Sequence, residues 1–228
     1  MNNDTSNDTS GNAVSRSIVV FGAGGRVGRA AVAEAVTRGH RVTAVVRDPS
    51  KYPDLDGDSV TLVRGDVTDP ASVAALAAGH DAAVNTSVRL DVSSEEYFTA
   101  AAKALITGLE GAGVRRLLTL GIATTLETEP GVRVMDAPEF PEQWRVFSQG
   151  HVAEFALLTA EAGQELDWLM VVPPQDLNAE AEVTGGYRTA VGTVIDGAGR
   201  IAHADLARAL LDEIELPRHS RVQLAVSV

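Results

Sequence analysis

Short apolar runs alternate with longer stretches of one-sided hydrophobicity from residue 17 onward. The first run, Ile18-Val-Val-Phe21, is uninterrupted and predicts a buried strand. Over 26–38, Val27, Ala30, Ala31, Val32, Ala35 and Val36 recur at helical spacing, and Gly39-His40 closes the segment. Further strands are expected over 41–46, 59–63, 81–85, 114–120, 166–172 and 222–228. The run at 114–120 is very apolar after Arg115-Arg116, which suits the middle of a parallel sheet covered on both faces. A helix is expected over 70–78, with Asp69 as N-cap and Pro70 in its first turn. Another runs from a Ser93/Glu96 capping box to about residue 110 and stops at Gly111-Ala-Gly113. Two more cover 148–162 and 204–215. Residues 121–147, with Pro130, Pro138 and Pro141, read as a long irregular rim or lid over a substrate pocket. Residues 187–195 read as a short strand pair.

This alternation of β and α implies an α/β fold: a single Rossmann-type doubly wound parallel sheet with a small C-terminal substrate-side extension. Residues 1–16 are Asn, Asp, Ser and Thr with little apolar content, and read as a disordered tail before one domain, 17–228. No internal repeat and no second domain are visible.

The turn after the first strand carries the first chemistry. Gly22, Gly25 and Gly28 stand at three-residue spacing with an extra Gly24, between a strand and a helix inside a βαβ unit of about 30 residues. Such a turn brings backbone N–H groups close to a pyrophosphate, where the helix dipole favours negative charge. Gly22, Gly24, Gly25, Arg26, Val27 and Gly28 are therefore candidate dinucleotide-binding residues. A tight βα turn without a nucleotide is the bland alternative. The second strand ends in Val46-Arg-Asp-Pro-Ser-Lys51. A cation at that position suits a ribose 2′-phosphate, whereas NAD-specific sites usually place Asp or Glu there. Arg47 and Lys51 thus favour NADP(H), although Asp48 lies one residue away. Asp66 and Val67, after the third strand, are placed beside the adenine, and Asn85, closing the fourth, is grouped with the cofactor residues.

Composition narrows the setting. The 228 residues include 19 Lys and Arg against 31 Asp and Glu, for a formal net charge of −12. That balance disfavours nucleic acid and anionic membrane surfaces as partners. No apolar run approaches the roughly 18 residues of a membrane span, and the first residues lack the basic-then-apolar order of a signal peptide. With no cysteine, there is no disulfide framework and no thiolate nucleophile. The expected location is the cytoplasm and the expected partner a small-molecule substrate, with monomer or homodimer both open. The histidines at 40, 80, 151, 203 and 219 form no metal-binding spacing, and there is no G-x-S-x-G elbow.

Gly22-Ala-Gly-Gly-Arg-Val-Gly28, Arg38-Gly-His-Arg-Val-Thr43, Val46 to Lys51, Gly121 to Leu126, Ala137 to Pro141, Leu166-Asp-Trp-Leu169 with Pro173-Pro174, and Arg200 to Ala207 together resemble one family. It is the atypical short-chain dehydrogenase/reductase superfamily, in its NAD(P)H-binding flavin-reductase-like and NmrA-like subgroup near biliverdin reductase B. The resemblance covers nearly everything from residue 17 onward. It implies a nicotinamide cofactor and leaves the substrate open. The Tyr-x-x-x-Lys pair of ordinary short-chain dehydrogenases falls on Phe147 and His151, and the usual Ser after the fifth strand on Gly121. Tyr97 and Lys103, six apart, do not replace that pair.

His151 is the candidate acid/base or substrate-orienting group, against a helix histidine that binds the nicotinamide ribose or packs. Ser87 and Thr124 are candidates to hydrogen-bond substrate or nicotinamide, against plain strand-end turns. Tyr187-Arg188 is read as a possible lining of the substrate mouth, and Phe140 and Trp144 as rings that stack on a flat ligand or as packing anchors. The leading expectation is an NADPH-dependent oxidoreductase that passes hydride to a flavin, quinone or enone. The alternatives are an isomerase, cyclase or dehydratase on the same fold, and a non-catalytic NADP(H)-sensing regulator.

Overall fold

A computed structural model describes residues 14–178 and 181–228. In chain order, β1 (Ser17–Phe21), α1 (Arg26–Thr37), β2 (Arg41–Val46), β3 (Val60–Arg64), α2 (Pro70–Ala77), β4 (Ala82–Asn85), α3 (Ser94–Ala112) and β5 (Arg116–Leu120) make the first half. A hairpin, β6 (Glu127–Glu129) with β7 (Val132–Arg133), precedes α4 (Glu142–Glu161) and β8 (Asp167–Val172). Then follow β9 (Asp176–Asn178), β10 (Arg188–Val191), β11 (Arg200–Ala202), α5 (His203–Glu215) and β12 (Gln223–Ser227).

Eight strands form the central sheet in the order β3-β2-β1-β4-β5-β8-β12-β10. Every neighbouring pair is parallel except β10 with β12, so the sheet carries one antiparallel edge strand. The chain begins at the centre, winds out to β3, then returns to β4 and winds the other way. The reversal between β1 and β4 opens a crevice at the carboxyl ends of the strands, the standard ligand position in open α/β sheets.

Both faces of the sheet are covered, as its near-continuous apolar strands require. Ile18 and Val20 of β1 pack with Val27, Ala31, Val32 and Ala35 of α1 and with Leu206, Leu210 and Ile214 of α5. The alternate residues Val19 and Phe21 face Val73 of α2, Leu105 and Leu109 of α3 and Leu158 of α4. The helix ends follow the sequence signals. Asp69 accepts a hydrogen bond from Ala71 N at 2.9 Å. Ser93 Oγ accepts one from Glu96 N at 3.1 Å, and Gly113 closes α3 with φ +73°.

The differences from expectation are local. α4 begins at Glu142, six residues early, so the irregular rim is shorter than 121–147 and itself holds the β6–β7 hairpin. Pro141 sits at the N-cap of α4, and its carbonyl accepts from Trp144 and Arg145 N–H. Over 187–195 the expected strand pair is one strand, β10, which pairs with β12 instead. β9 and β11 form a separate parallel pair in the C-terminal extension. Of the expected tail, residues 1–13 lie outside the described residues. Ser15 and Arg16 are tied to the domain, with Ser15 Oγ donating to Gly39 O at 2.7 Å and the Arg16 guanidinium to Glu215 O at 3.1 Å. Among the described residues no helix is long and apolar enough to cross a membrane.

Candidate functional site

The glycine turn is built by close approach. Gly22 has φ +79°, and a β-carbon there would stand 2.7 Å from Ser87 N and Cα. A β-carbon on Gly28 would stand 2.2 Å from the Gly22 carbonyl oxygen. Only glycine lets α1 and the loop after β4 close on the turn in this way. The N-cap of α1 is Gly25, with no side-chain cap and no acidic residue in the first turn. Among the described residues the other four α-helices each carry a side-chain cap or a first-turn acid: Asp69, Ser93, Glu142 and Asp205. The start of α1 therefore presents backbone N–H groups and a positive dipole end with no anion of its own, which fits a pyrophosphate.

A cleft of about 470 Å³ opens over this turn at the β1/β4 reversal. Gly22, Gly24 and Gly25 form one wall. Arg47, Lys51 and Tyr52 enter from the loop after β2, and Asp66 and Val67 from the loop after β3. Arg47 is exposed and makes no hydrogen bond or ion pair among the described residues, although its charge acts on Asp66 and Tyr97. Asp48 is turned into its own loop. Its Oδ1 accepts from Ser50 N at 3.2 Å and Ser50 Oγ at 2.7 Å, and its Oδ2 lies 3.7 Å from Lys51 Nζ. Burial pushes the Asp66 carboxyl up, but hydrogen bonds from Thr68 and the charges of Arg89 and Arg47 hold it below the usual range.

Three contributors to this cleft carry no motif in the sequence. Arg89, in the loop after β4, lines it while paired with Asp91. Tyr97 reaches it from α3; burial raises its pKa against a hydrogen bond with Ser87 and the charge of Arg47. Tyr52 is held by Arg29, whose guanidinium lies 5.5 Å from the ring centroid, pairs with Asp54 and donates to Gly24 O at 3.3 Å. That clamp ties the loop after β2 to the glycine turn.

Beneath the cleft runs a buried chain of polar groups. Ser87 donates from Oγ and N to Asn85 Oδ1 at 2.5 and 3.2 Å. Asn85 Nδ2 donates to Thr119 Oγ1 at 3.4 Å, and Thr119 donates to Glu154 Oε1 at 2.7 Å. Glu154, 1% exposed, meets His151 Nδ1 through Oε2 at 3.1 Å. Asn85 thus lies under the cleft wall, where it fixes Ser87. His151 is also buried, with its ring centroid 3.9 Å from that of Phe98 and 5.7 Å from that of Phe147. It is not on the wall of the cleft or of the second cavity described below.

That second cavity, of about 520 Å³, lies along the same edge of the sheet, past β5 and β8. Phe140, Trp144, Phe147, Pro173, Pro174 and Leu177 give it aromatic and aliphatic walls. Thr124 Oγ1 and Ser148 Oγ lie 2.7 Å apart on its surface, and Ser148 also donates to Trp144 O at 2.8 Å. Thr124 is thus on the wall, with a partner, Ser148, that sequence reasoning passed over.

The remaining candidates lie elsewhere. Tyr187 donates to Asp212 Oδ2 at 2.6 Å and Arg188 to Val228 O at 3.0 Å, so both serve the C-terminal half rather than a substrate mouth. The Val27 side chain is in the core, leaving only its backbone for a ligand. Arg26 is exposed beside His203, whose pKa is lowered by burial and then by that charge. Among the described residues no cluster of three His, Asp or Glu is arranged to hold a metal ion.

A family model described as NAD(P)H-binding matches residues 22–217. The Bacillus subtilis protein YwnB is 32% identical over 216 residues, 92% of this chain and 97% of that one. A Bacteroides thetaiotaomicron structure, provisionally named an epimerase, is similar with TM-score 0.83 and 29% identity, over 94% of this chain and 97% of that one. A Streptococcus pneumoniae structure, provisionally named an NADH-flavin reductase, is similar with TM-score 0.78 and 26% identity, over 93% of this chain and 99% of that one.

Proposed function

Because the chain belongs to the NAD(P)H-binding family, we propose that it is an NADPH-dependent reductase that delivers hydride to a conjugated small-molecule acceptor. The nicotinamide cofactor supplies the hydride when bound, and the chain supplies binding, orientation and a shielded cavity. In this reading the open start of α1, with the Gly22 to Gly28 turn, takes the pyrophosphate. Asp66 and Val67 border the adenine, and Asn85 holds Ser87 at the nicotinamide end. Arg47 and Lys51 take the 2′-phosphate. The unpaired guanidinium of Arg47 and the self-satisfied carboxylate of Asp48 support NADP(H) over NAD(H).

One observation carries the choice of chemistry. Among the described residues, those that line the aromatic cavity include no Asp, Glu, His, Lys, Arg or Tyr. Isomerisation, epimerisation and dehydration each need a positioned acid or base within hydrogen-bond reach of the substrate. Hydride addition to a conjugated acceptor does not, because the developing charge spreads through the acceptor and solvent supplies the proton. Phe147, standing where ordinary short-chain dehydrogenases carry their proton-donating tyrosine, supports the same reading.

The test is to mix purified protein and NADPH with a panel of quinones, enones and flavins, and to follow loss of NADPH absorbance. Turnover with conjugated acceptors, and none with simple ketones, is the expected result. Tight NADPH binding with no oxidation by any acceptor would refute the reductase reading in favour of non-redox chemistry or cofactor sensing.

A further inference from the structure

We propose that the acceptor is uncharged as well as planar, a neutral quinone or enone, and that acceptors carrying a phosphate or sulfonate are rejected by the cavity itself. For turnover this rests on the reductase reading; for binding it stands alone.

The walls favour a flat ring system. Phe140, Trp144 and Phe147 come from one short segment, so three aromatic rings border a single space. Among the described residues no lining side chain carries a charge. Cations on the flanking segments are already committed, among them Arg200, which is paired with Asp176 at 2.7 Å. Arg145, one residue from Trp144, donates to the carbonyls of Met135, Ala137 and Phe140, pairs with Glu142 at 3.2 Å and lies 5.6 Å from the Phe140 ring centroid. Arg133 is fixed on Asp136 at 2.8 Å. An anionic group entering here would lose water and gain no counter-charge, inside a protein of net charge −12.

The polar atoms present suit a carbonyl. Ser148 commits its proton to Trp144 O, so the Thr124 hydroxyl proton rests on Ser148 Oγ and can swing to an entering oxygen. With the exposed amide of Gln175, these are neutral donors only, enough to orient a ketone oxygen and without the charge that a phosphate requires. The balanced step is one hydride from the reduced nicotinamide and one proton from solvent. Together they convert a quinone to its hydroquinone and leave the nicotinamide oxidised.

Binding can be read without turnover. Trp144 is 57% exposed and the other tryptophan, Trp168, is fully buried, so quenching of accessible tryptophan fluorescence reports this cavity. With the full chain, 1,4-naphthoquinone should quench, and its 2-sulfonate should bind at least roughly tenfold more weakly. Trp144→Phe should abolish the quenching signal. Riboflavin should be a better acceptor than flavin mononucleotide in kcat/KM. Gln175→Arg, an exposed change on the cavity rim, should recover sulfonate binding. Equal or tighter binding of the sulfonate, quenching that survives Trp144→Phe, or no gain from Gln175→Arg would each overturn the inference. If NADPH is oxidised and flavin mononucleotide matches riboflavin, the uncharged-acceptor inference fails and the reductase reading stands. If the neutral quinone alone binds and no acceptor oxidises NADPH, the reductase reading fails and the inference stands.

Discussion

Replacing Arg47 should separate the two nicotinamide cofactors. Its guanidinium reaches the cleft with no partner among the described residues, and Lys51, its neighbour, is 71% exposed and only loosely paired with Asp48 at 3.7 Å. A hydrogen bond to a charged group is worth about 1.5–3 kcal/mol, or roughly 10- to 150-fold in affinity. Arg47→Ala should fall at the lower end for NADPH, because Lys51 remains to take part of the charge. Arg47→Glu should lie at or beyond the upper end, since it adds repulsion. NADH lacks the 2′-phosphate and should change only as far as a screened, more distant charge allows, roughly twofold. Calorimetric titration of both cofactors at about 0.1 M salt, where the screening length is about 10 Å, measures the difference directly. A parallel loss for NADPH and NADH would place Arg47 on a group the cofactors share, and no loss would place it in solvent. Either result removes the physical basis for preferring NADP(H).

Three further changes probe the frame and its polar interior. Gly28→Ala puts a methyl group where the Gly22 carbonyl already stands, and such overpacking should cost about 1–3 kcal/mol and weaken both cofactors; an unchanged thermal midpoint would contradict the close packing of turn and helix. Glu154→Ala strips Thr119 and His151 of their buried partner and should cost about 3–5 kcal/mol in urea unfolding, while Glu154→Gln, which keeps an acceptor, should cost clearly less; equal costs would show that packing alone matters there. Arg133 and its backbone N–H hold the Asp136 carboxyl down to about 2, so its contribution to stability is complete above the unfolded value of roughly 4 and is lost as pH falls through about 2. Asp136→Asn should therefore be less stable than wild type near neutrality, with the gap closing as pH falls from 5 towards 2; a gap independent of pH would refute the assignment.

The parts of the structure visible in the sequence are those with a local physical cause. Gly22 and Gly28 announce themselves because no β-carbon fits at either position, and Arg47 because it is the cation that follows the apolar end, Ala44-Val-Val46, of a strand. The start of α4 was hidden by Pro130, Pro138 and Pro141, which suggested a loop. Pro141 in fact occupies the N-cap, where its missing N–H removes no helical bond. β9 and β11 are three residues each, too short to show a period. Site groups such as Arg89, Tyr97 and Ser148 belong to segments that meet only through the sheet order. For His151 a signal existed. Glu154 lies three residues later, one turn along the same helix face, and a carboxylate that is buried there draws the imidazole inward, away from both cavities.

The division of charge in this chain accounts for how an acidic protein holds an anionic cofactor. Arg38 is bound to Glu34, Asp212 and Glu215, Arg116 to Asp167 and Glu213, and Arg145 to a ring of carbonyls. These cations are consumed in joining helices to one another, to strands and to loops, and are not free to act on a ligand. What reaches the cleft, besides Arg89 paired with Asp91, is Arg47, the exposed ammonium of Lys51 and the bare N–H groups at the start of α1. Among the described residues the neighbouring cavity holds no charge and offers rings, aliphatic walls, two hydroxyls and the Gln175 amide. In the proposed reading, selectivity for the cofactor is electrostatic, while selectivity for the acceptor is a matter of shape and neutrality. On that reading the acceptor can change through the segment 140–148 without disturbing the glycine turn, because among the described residues no side chain lines both spaces.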